Sequence, residues 1–237
     1  MCDVCPPAGI SRRLLLGAGI GALAGASLLR TAGTAQAQPA RAAETPDAAL
    51  KLLAEGNERY VANKLNERDF SATRAARAQG QAPFAAVLGC ADSRVAPELT
   101  FDRPPGDLFV VRVAGNFLTT EGLGSLEFGA AVLGTKVIMV LGHTSCGAVN
   151  ATVAALQKGN DLPGHIAGLV TAMKPGIEPA LKQPGDDLIQ RALIANVRYN
   201  VQRVSEAKPI LADMVASGKL KVVGGLYDLA TGKVSLV

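Results

Sequence analysis

Three apolar runs constrain this chain most: Phe84–Leu88, Leu108–Val113 and Lys136–Leu141, the last with Val-Ile-Met-Val-Leu at its core. Each is short and lacks the polar alternation of a strand with one wet face, so each reads as a strand buried on both sides. Helical patterns stand between and after them, which predicts an α/β fold with a mainly parallel central sheet of about four strands and helices on both faces. Leu220–Tyr227 supplies the fourth strand. The turn Thr231-Gly232-Lys233 then leads to Val234–Val237, an antiparallel C-terminal edge strand. In such sheets ligands bind beyond the carboxyl ends of the strands.

The helices follow from capping and periodicity. Thr45-Pro46 offers an N-cap with proline in the first turn, and Ala49, Leu52, Leu53, Tyr60 and Val61 recur at helical spacing to Asn63. That amphipathic helix needs a surface to cover. A more polar helix is expected over Arg68–Ala78, others over Leu123–Leu133, Gly147–Ala155 and Leu188–Ala207, and one from Pro209 to Gly218. The stretch Gln157–Asp187, rich in Pro and Gly, is expected to hold only short helices.

The 237 residues, 49% hydrophobic and without tryptophan, suffice for one domain over residues 38–237 behind an extension over residues 1–37. The extension reads Ser11-Arg12-Arg13-Leu14-Leu15-Leu16, then an apolar Gly/Ala/Leu stretch to Leu29, then Ala35-Gln36-Ala37. This is the order of a bacterial twin-arginine export signal cleaved after Ala37, which predicts a periplasmic protein that meets the membrane only in transit. An uncleaved anchor is the alternative, although Leu14–Leu29 falls short of the roughly 20 apolar residues that span a bilayer. Cys2 and Cys5 fall in the discarded part. Without it the formal charge drops from +4 to +2, since three of 24 basic and one of 20 acidic residues leave with it. No basic run interleaved with aromatics marks nucleic-acid binding.

The mature chain keeps two cysteines, Cys90 and Cys146, and two histidines, His143 and His165. Cys90 and Asp92 follow the first strand at i, i+2. His143 and Cys146 follow the third at i, i+3. The four converge if those strands are neighbours, and thiolate, imidazole and carboxylate are all ligands of Zn²⁺. A carboxylate is the least tenacious of them, and Arg94 can compete for its oxygens through two parallel N–H bonds, opening one zinc position to water. Export offers a rival fate for the two thiols, a Cys90–Cys146 disulfide. A closed, non-catalytic zinc or anion site is a further alternative, and so is an ordinary surface ion pair between Asp92 and Arg94.

The pattern Cys90-x-Asp92-x-Arg94 followed by His143-x-x-Cys146-Gly147 resembles the β-class carbonic anhydrases. The similarity extends from Ala48-Ala49-Leu50 and Glu55-Gly56-Asn57 through Arg112-Val113-Ala114-Gly115-Asn116 and Gly124-Ser125-Leu126-Glu127 to Tyr227-Asp228 and Thr231-Gly232. The resemblance implies zinc on Cys90, Asp92, His143 and Cys146, and reversible hydration of CO2 to bicarbonate by a zinc-bound hydroxide. Asp92 and Arg94 would be the catalytic pair. It further implies that Gln81, Phe109, Ala114 and Gly147 line the substrate pocket. N-terminal helices would embrace a second subunit in a homodimer or tetramer. A pocket tyrosine of plant-type members has no counterpart between Asn116 and Gly124. Hydrolysis of carbonyl sulfide or carbon disulfide shares the same metal motifs. His165 is either a proton relay or a residue packed at a helix start.

Overall fold

The computed structural model describes residues 42–159 and 162–237, so the expected export signal and its two cysteines lie outside the described residues. A five-stranded sheet runs in the order β2-β1-β3-β4-β5, with β1 Ala85–Gly89, β2 Leu108–Arg112, β3 Val137–His143, β4 Lys221–Tyr227 and β5 Val234–Leu236. The first four are parallel and β5 pairs antiparallel with β4, as the apolar runs and the C-terminal turn predict. β1 lies between β2 and β3, so the chain goes to one side of it and then crosses back to the other. That reversal puts the crevice of an α/β sheet at the carboxyl ends of β1 and β3.

Alternation along the strands divides the core. Ala85, Val87, Val137, Met139 and Leu141 face a cluster containing Leu53, Phe84, Phe101 and Tyr227, while Ala86, Leu88, Ile138 and Val140 face one containing Leu126, Val197, Val204 and Leu211. Helix α1 (Pro46–Val61) covers the first face. Thr45 caps it by accepting from the Ala48 N–H at 3.2 Å, worth about 1 kcal/mol. Its Gly56 is a point of backbone contact, since a Cβ there would lie 1.8 Å from the Phe101 carbonyl oxygen. Asn57 then stitches the helix to the sheet edge. Its Nδ2 donates to the Thr100 and Gly232 carbonyls and its Oδ1 accepts from the Val234 N–H. Ala49 and Leu53 are therefore buried in this chain's own core and need no second subunit to cover them.

Two expected helices differ. Over Arg68–Ala78 only the single turn α2 (Arg74–Arg77) forms, because the Asp69 carboxylate takes the Ser71 and Ala72 N–H groups and the Ser71 hydroxyl into a local turn. Conversely, most of Gln157–Asp187 is one long helix, α6 (Ile166–Leu181), which continues through Pro175 and Pro179. Between α5 (Gly147–Lys158) and α7 (Leu188–Ser205), it buries Met173, Gly176, Ile177 and Ala180. Packing outweighs the hydrogen bonds that proline removes. The short α3 (Pro97–Thr100) was not expected. The helix expected over Leu123–Leu133 is α4 (Thr120–Glu127), which starts earlier on a Thr119 cap and then widens into a π-turn over Phe128–Val132. Helix α8 (Leu211–Ala216) precedes β4.

Candidate metal centre

The segment after β1 carries Cys90, and β3 ends on His143, so the pairing of these strands brings the two residues together. Cys146 follows as the N-cap of α5, where free N–H groups favour a thiolate. The turn between them is tight. Ser145 is left-handed at φ 55°, and Thr144 is pinned to β4 and its exit by its own N–H on the Tyr227 carbonyl and its hydroxyl on the Leu229 N–H.

Cys90 Sγ, Cys146 Sγ and a His143 ring nitrogen lie within 4.8 Å of one another, and all three residues are buried. The sulfurs are 4.0 Å apart, and both are free thiols in this structure. The two sulfurs hydrogen-bond each other, so a proton held by one favours the thiolate of the other, and Cys146 is pushed up by Cys90 and by burial. Cys90 is lowered to about 4 by the Cys146 hydrogen bond, assisted by the Gly115 and Asp92 N–H groups at 3.2 and 3.4 Å. His143 Nδ1 is 2.9 Å from the Thr144 carbonyl, which assigns the proton to that nitrogen. Nε2 is then left as a buried lone pair without a hydrogen-bond partner. One imidazole nitrogen and two sulfurs that can ionise thus converge in a buried place, so the donor set fits zinc.

Asp92 lies at the rim, its Oδ2 3.8 Å from His143 Nε2. Its carboxylate is turned to Arg94: Nε donates to Oδ1 at 2.9 Å, a terminal nitrogen donates to Oδ2 at 2.7 Å, and the Arg94 backbone N–H adds a third bond at 2.9 Å. This fork holds the carboxyl well below the usual carboxylate range. The structure thus brings three expected ligands together and places the fourth on its arginine partner.

Of the expected pocket residues, Gly147 is exposed at the first position of α5, with open space where a Cβ would project, and Ala114 is joined to Gly115 beside Cys90. Gln81 and Phe109 are elsewhere in the chain. Gln81 precedes β1 and lines a cleft with Arg77, Pro105 and Gly106, so the length of the strand, about 16 Å, separates it from Cys90. Phe109 pairs in register with Ala86, near the amino end of β1, and packs on Phe128 at 6.4 Å between ring centres. His165 is exposed and makes no capping bond.

Sequence reading missed Arg112. Its guanidinium donates to three carbonyls of the ligand loop, those of Cys90 (2.8 Å), Asp92 (2.7 Å) and Val95 (2.8 Å). Its segment, residues 112–116, was among those that carry the resemblance, but no role for the arginine could be read from it.

Residues 85–234 match the family model described as carbonic anhydrase. The chain belongs to the carbonic anhydrase family. It is 39% identical over 192 residues to carbonic anhydrase 2 of Mycobacterium tuberculosis, covering 81% of this chain and 92% of that one. With the carbonic anhydrase of Mycolicibacterium smegmatis it shares 40% identity over 192 residues, or 81% of this chain and 93% of that one. Among solved structures, the Coccomyxa β-carbonic anhydrase in complex with acetazolamide superposes with a TM-score of 0.62 at 30% identity, over 70% of this chain and 77% of that chain. The family's β class thus has the parallel sheet and helical layers described above.

Proposed function

We propose that this carbonic anhydrase catalyses the reversible hydration of CO2 to bicarbonate at a zinc ion held by Cys90, His143 and Cys146. One observation carries the reading: the buried, unpartnered His143 Nε2 converges with two thiols in a chain of this family. Bound there, zinc supplies the Lewis acidity that lets water lose a proton far below its bulk pKa. Arg94 holds both Asp92 oxygens, which keeps the carboxylate ionised, off the metal and available to orient the attacking nucleophile. The open first turn of α5 at Gly147 offers N–H groups to the oxygens of substrate and anionic product. A part for Gln81 in substrate binding requires it to come from another copy of the chain, because its own strand holds it away. That fits a homo-oligomer, in which Phe109 would likewise serve a neighbour. Support for assembly includes relatives such as the two Sordaria macrospora β-carbonic anhydrases, described as tetrameric. We also propose that residues 1–37 direct twin-arginine export to the periplasm. Mass spectrometry of the periplasmic protein would show a mature amino terminus at Gln38, and a retained leader would overturn this part.

The test is metal analysis joined to stopped-flow CO2 hydration. Reduced wild-type protein should contain one zinc per chain and turn over CO2. Cys146→Ser should lose most of the metal and the activity with it, since a hydroxyl is a poor substitute for thiolate. Wild-type protein without zinc, or a native Cys90–Cys146 disulfide, would overturn the assignment.

A further inference from the structure

Cys90 Sγ accepts a hydrogen bond from the Gly115 N–H, and glycine is the residue least able to aim its own peptide. Gly115 sits at φ +85°, in the loop leaving β2, and a Cβ there would meet Met173 Sδ at 2.3 Å, so no stiffer residue can take its place. Something else must fix it. The Asn116 N–H closes a turn across it on the Val113 carbonyl at 3.0 Å, and α7 adds the restraint from outside the loop, with Asn196 Nδ2 donating to the Gly115 carbonyl at 2.9 Å. One helical turn on, Asn200 Oδ1 accepts from the Leu118 N–H at 2.8 Å, and Asn200 Nδ2 donates back to the Asn196 carbonyl at 2.9 Å. Arg203 closes the series on the Leu118 carbonyl at 2.9 Å.

Asn196 and Asn200 are 1% and 0% exposed, on a helix face otherwise filled by Ala192, Leu193 and Val197. Burying two carboxamides is costly, and aliphatic residues would pack the same positions without that cost. Each sends one polar atom to the same loop, Asn196 Nδ2 to Gly115 and Asn200 Oδ1 to Leu118, and the two amides brace each other along the helix. We propose that Asn196 is a positioning residue of the metal centre: by gripping the Gly115 carbonyl it holds the glycine's N–H on Cys90 Sγ. The inference rests on the reading of Cys90 as a zinc ligand. An N–H aimed at a ligand sulfur orients its lone pairs and withdraws charge from it, and loss of such outer partners typically weakens metal binding about 10–100-fold.

The experiment compares wild-type protein, Asn196→Ala, the isosteric Asn196→Asp and the control Leu53→Ala. Leu53 is buried in the cluster under α1, which contains no residue of this loop. Zinc affinity is read by chelator competition, and the sulfur-to-metal charge-transfer absorption is read after cobalt(II) substitution. In the Asn196 variants zinc affinity should fall at least tenfold. The charge-transfer band should move to longer wavelength, because a sulfur without its donor gives up charge more readily. Leu53→Ala should lower thermal stability and move neither metal readout. Wild-type affinity and spectrum in a folded Asn196 variant would overturn the inference while leaving the zinc site standing, as would equal changes in Leu53→Ala. Should Asn196→Ala fail to fold, Asn196→Asp decides. Wild-type protein that binds no zinc would instead defeat the metal assignment on which the inference rests.

Discussion

Asp92 meets the guanidinium of Arg94 in an exposed loop at the carboxyl ends of the strands. Asp102, further along the chain, meets two, from Arg59 on α1 and Arg68 on the segment after it. Asp102 also takes the Asn66 side-chain amide, and its side chain has no exposure to solvent. The Asp92 side chain keeps 17% exposure and that of Arg94 keeps 54%. Residue types are the same and the jobs differ. A buried carboxylate with partners on separate segments fastens those segments together. A carboxylate forked by one half-exposed arginine from its own loop, which also reaches the Ser145 carbonyl at 3.3 Å, adds less to stability and stands where it can respond to what arrives beside it.

The comparison breaks most visibly at Asp102. Asp102→Ala should destabilise the fold by about 3 kcal/mol, the low end for removing one member of a buried ion pair, because both arginines still reach water. Denaturant unfolding measures it, and a midpoint unchanged from wild type would mean that the fastening is ornamental. At the other site the effect should be kinetic. Arg94→Ala should keep zinc and an unchanged unfolding midpoint yet lose roughly a hundredfold in CO2 hydration, the scale for removing one organised electrostatic partner of a reacting centre.

Acid sharpens the contrast. Arg68 and Arg59 outweigh the burial of Asp102 and hold its carboxyl below the ordinary carboxylate range, so its contribution is complete above an unfolded pKa of about 3.9. It is lost as pH falls through the lower folded value. In metal-free protein the stability gap between wild type and Asp102→Ala should therefore hold above about pH 4 and narrow as the pH falls below it, followed by calorimetry. A constant gap would show that packing, not charge, holds the cluster. The smallest effect belongs to Asp92→Asn, which should lower the unfolding midpoint of the metal-free protein at neutral pH only slightly, well short of the Asp102→Ala loss, because the Arg94 partner is half exposed. A loss as large as that of Asp102→Ala would make Asp92 a fastening residue too.

How legible was all this from sequence? The strands and the convergence of Cys90, His143 and Cys146 were, since uninterrupted apolar runs and donors placed directly after them are local signals that topology only has to bring together. Helix α6 was hidden because Pro175, Gly176 and Pro179 look like breakers. Gly176 instead permits close approach to α7, where a Cβ would lie 2.8 Å from the Tyr199 ring. The lost α2 residues went to Asp69, whose turn-forming bonds compete with a helix only once geometry is known. Gln81 and Phe109 came from the resemblance alone, and sequence could not show that their own strands hold them away from this chain's Cys90. Arg112 and Asn196 act through backbone carbonyls distant in sequence, and such contacts leave no pattern to read.

The pairing of β1 with β3 also sets the order in which this chain can acquire its metal. Cys90 and Cys146 are 56 residues apart, and His143 joins them only when Gly89 and Leu141 lie side by side in the sheet. Before that register forms, the unfolded chain offers only the local pair His143 and Cys146 and no complete site. An ion held there would therefore guide folding less than in a small zinc finger, whose ligands are all close along the chain. It closes a long loop after the sheet has formed, so its binding energy acts mainly against unfolding.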